Sequence, residues 1–413
     1  MDKIRSKTGG PAGSNLLVPT LHTPYHYYHS YKINLTMTFA CTQENLLQGL
    51  ALVSHITGKN INLPILSNVL LKTENGNLKL STTNLEIAIS TFVRGRAEEP
   101  GEFTVPAKLL QDYVSLLPSG KVELKAHDDV LEVVADGKTT SIKGMPASEF
   151  PLIPKLAKEG SYKMNAGVLK QAIGQVSFAV SNSESRPELS GVACFFHGQA
   201  GQDRLIMAAT DSYRLAERSV PLLTGSHTGE ARCLVPARTM TEVGRILSVY
   251  NDDVGMPEEA EWLMTESQLV FSFGKVELVS RLIEGSFPDY RQIIPQQFRT
   301  QFDLKRHELA KAIKAASLFA RQGLFDVHFD LSSDGQLKVS SSDTGTGAHT
   351  TSLKVAEGQE PNRVTLNYKY LSDGLAAMST DMVTVKMIDA MNPLLLTPAG
   401  DTEFRYIVMP IRQ

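Results

Sequence analysis

The sequence predicts an α+β protein in which one β/α module is written three times, and three observations carry that reading. Val105-Pro106-Ala107-Lys108 returns as Val235-Pro236-Ala237-Arg238 and, in degenerate form, as Leu366-Asn367-Tyr368-Lys369, at intervals of about 130 residues. Each copy of this tetrapeptide follows an extended segment and opens a run with apolar residues at helical spacing. A second helical run precedes it in every copy, with alternating segments between the two. Units of this length are domains, unlike solenoid repeats of roughly 20–50 residues.

In chain order, the first 36 residues stand outside the pattern. They hold Gly9-Gly10-Pro11 and a Tyr/His cluster from Tyr25 to Tyr31, with no helical or strand period. This predicts a disordered N-terminal extension, or an upstream start, ahead of a folded protein that begins at Met37. The segment lacks the apolar core, roughly 7–15 residues long, of a secretory signal. His22, His26 and His29 are close enough to hold a metal ion, but a disordered tail is the simpler reading, and no metal or other cofactor is expected.

Met37 begins a strand-like MTFAC that leads into the helical run Gln43 to Ile56, then a β-rich stretch Leu78 to Phe92, then the helix of Val105 to Leu117. The second copy repeats this order with Ala166 to Val180, Arg204 to Val220 and Val235 to Leu247. The third has Arg306 to Ala320, Gln336 to Val355 and Leu366 to Met378. The expected domains are 37–161, 162–298 and 299–413, each long enough to bury its own core.

Composition is that of an average globular protein, with 42% hydrophobic and 21% charged residues. No uninterrupted apolar run approaches the roughly 18 residues of a membrane span. Cys41, Cys194 and Cys233 are an odd number without CxxC spacing, which predicts reduced packing thiols and a cytoplasmic location.

Motifs for chemistry fail one by one. Gly137-Lys138-Thr139 has the tail of a phosphate loop, but Glu132 stands where the first glycine belongs, so a hairpin turn is expected. Gly345-Thr346-Gly347 is followed by Thr350 in place of a third glycine. The pairs Asp128-Asp129 and Asp252-Asp253 lie in turn-like surroundings. A threefold repeat without a reactive constellation predicts a binding scaffold with no catalytic residues.

Charge placement indicates a partner. The net charge of -3 excludes a general polyanion binder, yet the predicted helices carry Lys108, Lys170, Arg238, Arg245, Arg306, Lys311, Lys314, Arg321 and Lys369. Ordinary solvated helix faces would account for these cations. Their recurrence in three copies favours a shared surface that meets phosphates without reading bases.

Four further segments carry a family resemblance: Met145-Pro146-Ala147-Ser148-Glu149-Phe150-Pro151, Ala209-Thr210-Asp211-Ser212-Tyr213-Arg214-Leu215-Ala216, Gly285-Ser286-Phe287-Pro288-Asp289-Tyr290-Arg291 and Tyr406-Ile407-Val408-Met409-Pro410-Ile411-Arg412. Together, in this order from Met37 to Gln413, they resemble the bacterial sliding clamps, the beta subunits of DNA polymerase III. The resemblance implies a head-to-tail ring dimer of three-domain protomers, with helices lining a central channel and antiparallel sheets outside. Such a homodimer encircles double-stranded DNA without sequence specificity and confers processivity without chemistry of its own.

By the same resemblance, the ring joint places the strand around Thr140 and Ile142 against the domain-three helix near Leu318 and Phe319. Packing within their own helix is the alternative for these last two. A DNA-contacting turn aligns with Gly58-Lys59-Asn60, where Asn60 replaces a family arginine beside Lys59, and Arg186 aligns with another basic position. With Lys170, Arg238, Arg245, Lys311 and Lys314 these form the expected DNA surface. A cleft between domains two and three would be built from Leu189, Thr210, Tyr213, Arg214, Leu215, Pro288, Ile293, Ile407, Met409, Pro410, Ile411 and Arg412. In the family it takes linear peptides of the DNA polymerase III alpha subunit, the clamp loader, other polymerases and mismatch-repair proteins. The chain departs from one familiar form of the pattern at Ser212, Tyr213 and Gln292, where glycine, histidine and arginine stand. Two alternatives from other classes remain: an enzyme, which needs a convergent acid, base or nucleophile set, and a monomeric peptide-binding module, which would have polar end surfaces.

Overall fold

Each repeated tetrapeptide is a strand-to-helix boundary. In the computed structural model, which describes residues 37–58, 62–154, 161–183, 185–197, 203–225, 230–249 and 257–412, Val105-Pro106 ends the strand Glu102–Pro106 and Ala107 opens a helix. Val235-Pro236 and Leu366-Asn367 end strands in the same way. Among the described residues the six α-helices are α1 (Gln43–Val53), α2 (Ala107–Ser115), α3 (Ala166–Val176), α4 (Ala237–Val249), α5 (Arg306–Ser317) and α6 (Tyr368–Ala376). They pack as α1 with α2, α3 with α4 and α5 with α6, one pair per module.

Local chemistry sets the helix limits. Thr42, Asn165 and Asn367 accept hydrogen bonds from the amides of Asn45, Val168 and Lys369, satisfying donors that the first turn leaves open. The expected runs to Ile56 and Val180 include more than α-helix: α1 and α3 tighten into 3₁₀ turns at Ser54–Ile56 and Ser177–Ala179. The tighter i→i+3 bonds satisfy carbonyls at the helix end. Gly137-Lys138-Thr139 is a hairpin turn, with Asp136 and Gly137 both at positive φ between paired Ala135 and Lys138. The N-terminal extension, the histidines in it, Lys59, Asn60 and Asp252-Asp253 lie outside the described residues.

Strand pairing crosses both domain junctions. Val276–Arg281 of the second module pairs antiparallel with Ile87–Val93 of the first, and Phe404–Val408 of the third pairs with Arg214–Gly225 of the second. One 16-stranded antiparallel sheet therefore runs through all three modules. A five-stranded sheet in the first module and a four-stranded sheet in the third complete the β-structure. The helix pairs cover the main core, whose largest fully buried side chains include Trp262, Tyr406, Phe39 and Phe271.

Most sheet edges are covered by the chain's own backbone. Met145 bridges Thr104, Ile283 donates to Leu234 O at 2.9 Å, and Ile411 donates to Thr365 O at 2.8 Å. The edge Thr300–Lys305 is covered through side chains, Gln301 N donating to Gln359 Oε1 and Thr300 Oγ1 to Glu360 O at 3.2 Å each, and Ala97 N donates to Gly76 O. Among the described residues two edges have no such cover: Lys138–Lys143, last in the five-stranded sheet, and Gly347–Lys354, last in the four-stranded one.

Close packing shows at Gly374 in α6, where a Cβ would stand 2.2 Å from the Tyr406 ring. Gly374→Ala should destabilise the fold by about 1–3 kcal/mol, despite alanine's better helix propensity, because the ring has no room to move. The shift of the urea midpoint measures this.

Candidate peptide cleft and nucleic-acid surface

At the junction of the second and third modules, Leu215 lies opposite Ile407, and Ile407 opposite Leu395 on the adjacent strand. With a side-chain period of two, these residues share one face of the sheet. They join Ala208, Tyr290 and Ile294 in an apolar cluster separate from the main core, with Phe195, Phe287 and Phe298 packed around it. The segment carrying Pro288 and Ile293 crosses this face and leaves Ile293 41% exposed. It is anchored by Tyr290, whose hydroxyl donates to Glu217 at 2.6 Å. Burial, with the Glu217 charge beside it, pushes that phenol's pKa far up.

A polar turn forms the rim. Thr210 Oγ1 donates to Arg214 O at 2.6 Å and accepts from Ser212 N, and Asp211 Oδ1 accepts from the amides of Tyr213 and Arg214. Ser212 is thereby held at φ 78, a left-handed conformation that glycine adopts without steric cost.

Arg214 ties the modules together. Its guanidinium donates to Asp211 at 3.1 Å, to Phe178 O at 2.9 Å and to Asp373 of α6, and it lies over the rings of Phe178 and Tyr370. Burial works against its charge, but Tyr406, Asp373 and Asp211 outweigh that and raise its pKa above the ordinary arginine value. Tyr213, 63% exposed, stacks on Tyr370 with centroids 6.4 Å apart.

The C-terminal segment lies on both modules. Met409 N donates to Tyr213 O at 2.9 Å, and the Ile411 N bond to Thr365 O pins the tail to the four-stranded sheet. Met409, Pro410 and Ile411 are half-buried and Arg412 is exposed. Leu189 is buried at the end of a 3₁₀ turn, and its carbonyl accepts from Ser181.

The arrangement thus gathers Thr210, Tyr213, Arg214, Leu215, Ile407 and Met409 around one rim and floor. It adds Phe178, Asp211, Leu395, Tyr370 and Asp373, which sequence reasoning did not select. Asp211 had a signal, an aspartate ahead of a turn. Tyr370 and Asp373 had none, since they reach Arg214 across a module boundary.

The expected DNA-contacting cations separate into two groups. Lys311 and Lys314 on α5, Arg238 on α4 and Lys108 on α2 are exposed, and Lys170 on α3 is half-buried; none of these has an ion-pair partner among the described residues. Arg186 is exposed and bonds Glu188 at 3.0 Å and Ser212 at 3.3 Å. Lys369 lies 3.5 Å from the centroid of Phe325. Arg245 is differently placed: it donates to Glu242 at 2.9 Å and to the carbonyls of Ala51 and Leu52 at the end of α1. His55 reaches the other side of the buried Glu242 carboxylate. Arg306 and Arg321 are likewise engaged, with Leu375 and Thr380 carbonyls and with Asp326.

Of the expected joint residues, Thr140 is half-buried on the uncovered edge and Ile142 points into the core at 3% exposure. Leu318 is 69% exposed, and Phe319 stacks on His349 of the other uncovered edge strand at 5.8 Å. The cysteines are free, and burial raises the Cys41 thiol to about 12 and Cys194 well above its usual range. Among the described residues no group of three or more His, Cys, Asp or Glu could hold a metal, and no helix is long and apolar enough to cross a membrane.

Three domain models match in sequence order: the DNA polymerase III beta subunit N-terminal domain over residues 37–154, the central domain over 163–289 and the C-terminal domain over 291–412. The chain is 30% identical to the beta sliding clamp of Synechococcus elongatus and 29% identical to that of Synechocystis sp., in each case over 91% of this chain and 99% of the relative. Among solved structures it is similar to the Pseudomonas aeruginosa sliding clamp bound to griselimycin, with 26% identity and a TM-score of 0.84 over 91% of this chain and 100% of that one. The Bacillus subtilis sliding clamp gives 25% identity and a TM-score of 0.84 over 91% and 99%. With three modules in the same order and relatives matched nearly end to end, the chain belongs to the family of DNA polymerase III beta subunits, the bacterial sliding clamps.

Proposed function

We propose that this protein is a DNA sliding clamp, a homodimeric ring that encloses duplex DNA and tethers the replicative polymerase by topology. The observation that carries the ring is the pair of uncovered sheet edges, Lys138–Lys143 and Gly347–Lys354. An exposed edge offers a row of unpaired backbone groups, and head-to-tail pairing of two copies in a closed dimer removes every one of them. Leu318 and Phe319, beside the second edge, would supply apolar contact, while Ile142, facing inward, would contribute its backbone alone. Free thiols fit a cytoplasmic setting.

Within the ring, Lys170, Arg238, Lys311 and Lys314 would face the duplex. Salt-sensitive contacts to phosphates centre it without fixing a register, which suits sliding. Arg245 serves as a positioning residue: its donors join α1 to α4, so its contribution lies in holding the first two modules together. The cleft at the second junction would dock linear peptides of the polymerase alpha subunit, the clamp loader, other polymerases and mismatch-repair proteins. Its floor at Leu215, Ile407 and Leu395 takes apolar anchors, and half-buried Met409 adapts to different ones.

Three outcomes are expected. Leu318→Lys should shift the protein from dimer toward monomer in light scattering at micromolar concentration; an unchanged dimer would remove this helix end from the joint. Lys311→Glu with Lys314→Glu should weaken loading on DNA and flatten the dependence of log affinity on log salt by about 2, whereas Arg245→Ala should lower the urea midpoint with a smaller change in that slope. Met409→Ala with Ile411→Ala should weaken binding of a polymerase-derived peptide by more than about 1 kcal/mol in calorimetric titration. An unchanged isotherm would count against the cleft.

A further inference from the structure

The junction of the first and second modules repeats the strand register and the turn hydrogen bonds of the second junction, with Ile87 in the place of Arg214. Val279 lies opposite Ala88 as Ile407 lies opposite Leu215. In the turn before the receiving strand, Leu85 holds φ 76 where Ser212 holds φ 78. Thr83 Oγ1 donates to Ile87 O at 3.0 Å, and Asn84 Oδ1 accepts from the amides of Glu86 and Ile87, the pattern that Thr210 and Asp211 make one junction later. Arg281 N donates to Glu86 O as Met409 N donates to Tyr213 O. The crossing segments share Phe-Pro, at 150–151 and 287–288, and Ile-Pro, at 153–154 and 294–295.

The chemistry on the sheet face differs between the two. Leu263, Val270, Val279 and Ala88 stand side by side in an apolar row, partly covered by Ile153. Two residues along each strand, and so on the same face, the next row reads Glu261, Ser272, Glu277. The second junction neutralises this row with an Arg405–Glu217 pair at 3.6 Å. At the first, neither Glu261 nor Glu277 has an ion-pair partner among the described residues. The neighbouring cations are already engaged: Lys163, opposite Glu261 in the register, lies 4.0 Å from Glu259, and Lys79, in the cavity wall, is held near Glu74 at 4.0 Å and over Phe92. A cavity of about 270 Å³ opens here, lined by Phe92, Leu263, Val270, Glu261, Glu277 and Pro154 among others.

We infer that this face is a second docking site for an extended peptide, one that carries an apolar side chain flanked by lysine or arginine. Phe92, Leu263 and Val270 in the cavity wall take the anchor, and the two carboxylates, without an ion-pair partner among the described residues and about 10 Å apart across two strand spacings, take the flanking cations. An acidic peptide would meet like charge at both positions. The comparison borrows the reading of the second junction as a peptide cleft, so each junction is tested with its own variant.

The experiment is fluorescence anisotropy on the full chain at low salt with a fluorescein-labelled Gly-Lys-Leu-Phe-Lys-Gly peptide, beside a counterpart in which both lysines are glutamate. The lysine peptide should bind and the glutamate one should not. Glu261→Lys with Glu277→Lys should weaken binding by about tenfold or more, as charge reversal at a complementary site does, while Met409→Ala with Ile411→Ala should leave it unchanged. Circular dichroism checks folding. Should the double reversal not fold, Phe92→Ala and Glu277→Gln carry the same expectation singly. The proposal is overturned by no binding up to about 1 mM, by equal binding of the two peptides, or by a loss confined to the Met409 and Ile411 variant, which would put the peptide in the second cleft. That cleft's own reading fails separately, if a polymerase-derived peptide is indifferent to Met409 and Ile411.

Discussion

Backbone hydrogen bonding across module boundaries is the constraint on which this molecule rests. A hydrophobic core can be closed within one module, but a sheet edge cannot satisfy its own donors and acceptors. Here the edges of neighbouring modules meet as Val276–Arg281 with Ile87–Val93 and Phe404–Val408 with Arg214–Gly225. Three similar units thereby form one sheet, and each junction becomes a place where two strands, a crossing segment and a turn must converge. The apolar cluster around Leu215, Ile407 and Tyr290 is one consequence of that convergence. The two edges left over at the ends of the smaller sheets are another, and a closed dimer is the arrangement that consumes them without leaving a new pair.

The cations divide between those held by the fold and those left exposed. Arg214, Arg245, Arg306 and Arg321 each have several donors fixed by carboxylates or carbonyls. The guanidinium fork suits this work because it makes several directed bonds at once while keeping its charge. The exposed cations that remain on α5 are lysines, compact and hydrated charges on flexible stems. A phosphate contact made by such a group is easily exchanged, which is the property a sliding surface needs and a structural joint does not.

Much of this was legible in the sequence where a pattern is local. The tetrapeptide at 105, 235 and 366 marks strand-to-helix boundaries because a strand that ends and a helix that begins at the same step impose the same residue types each time. The helical runs and hairpin glycines follow from periodicity and turn chemistry in the same way. What could not be read is long-range. Arg245 has the spacing of a channel cation, and only the proximity of the end of α1 assigns its donors to Ala51 and Leu52. Tyr370 and Asp373 carry no motif, yet they complete the Arg214 site from another module. Ile142 sits on the expected edge strand, but the side-chain alternation that turns it inward is set by the register with Leu131.

The same distinction explains why the two junctions differ in chemistry although they agree in geometry. Turn conformation, strand register and the Phe-Pro and Ile-Pro steps are all needed to bring two sheet edges together, so any pair of modules joined this way must keep them. Residues on the outer face of the joined strands do no such work, and they are free to change. One junction therefore carries an ion pair at Arg405 and Glu217, while the other carries Glu261 and Glu277 beside an apolar row. The backbone dictates that two sheet edges meet at each boundary, and the side chains that the backbone does not constrain set the chemistry of the face there.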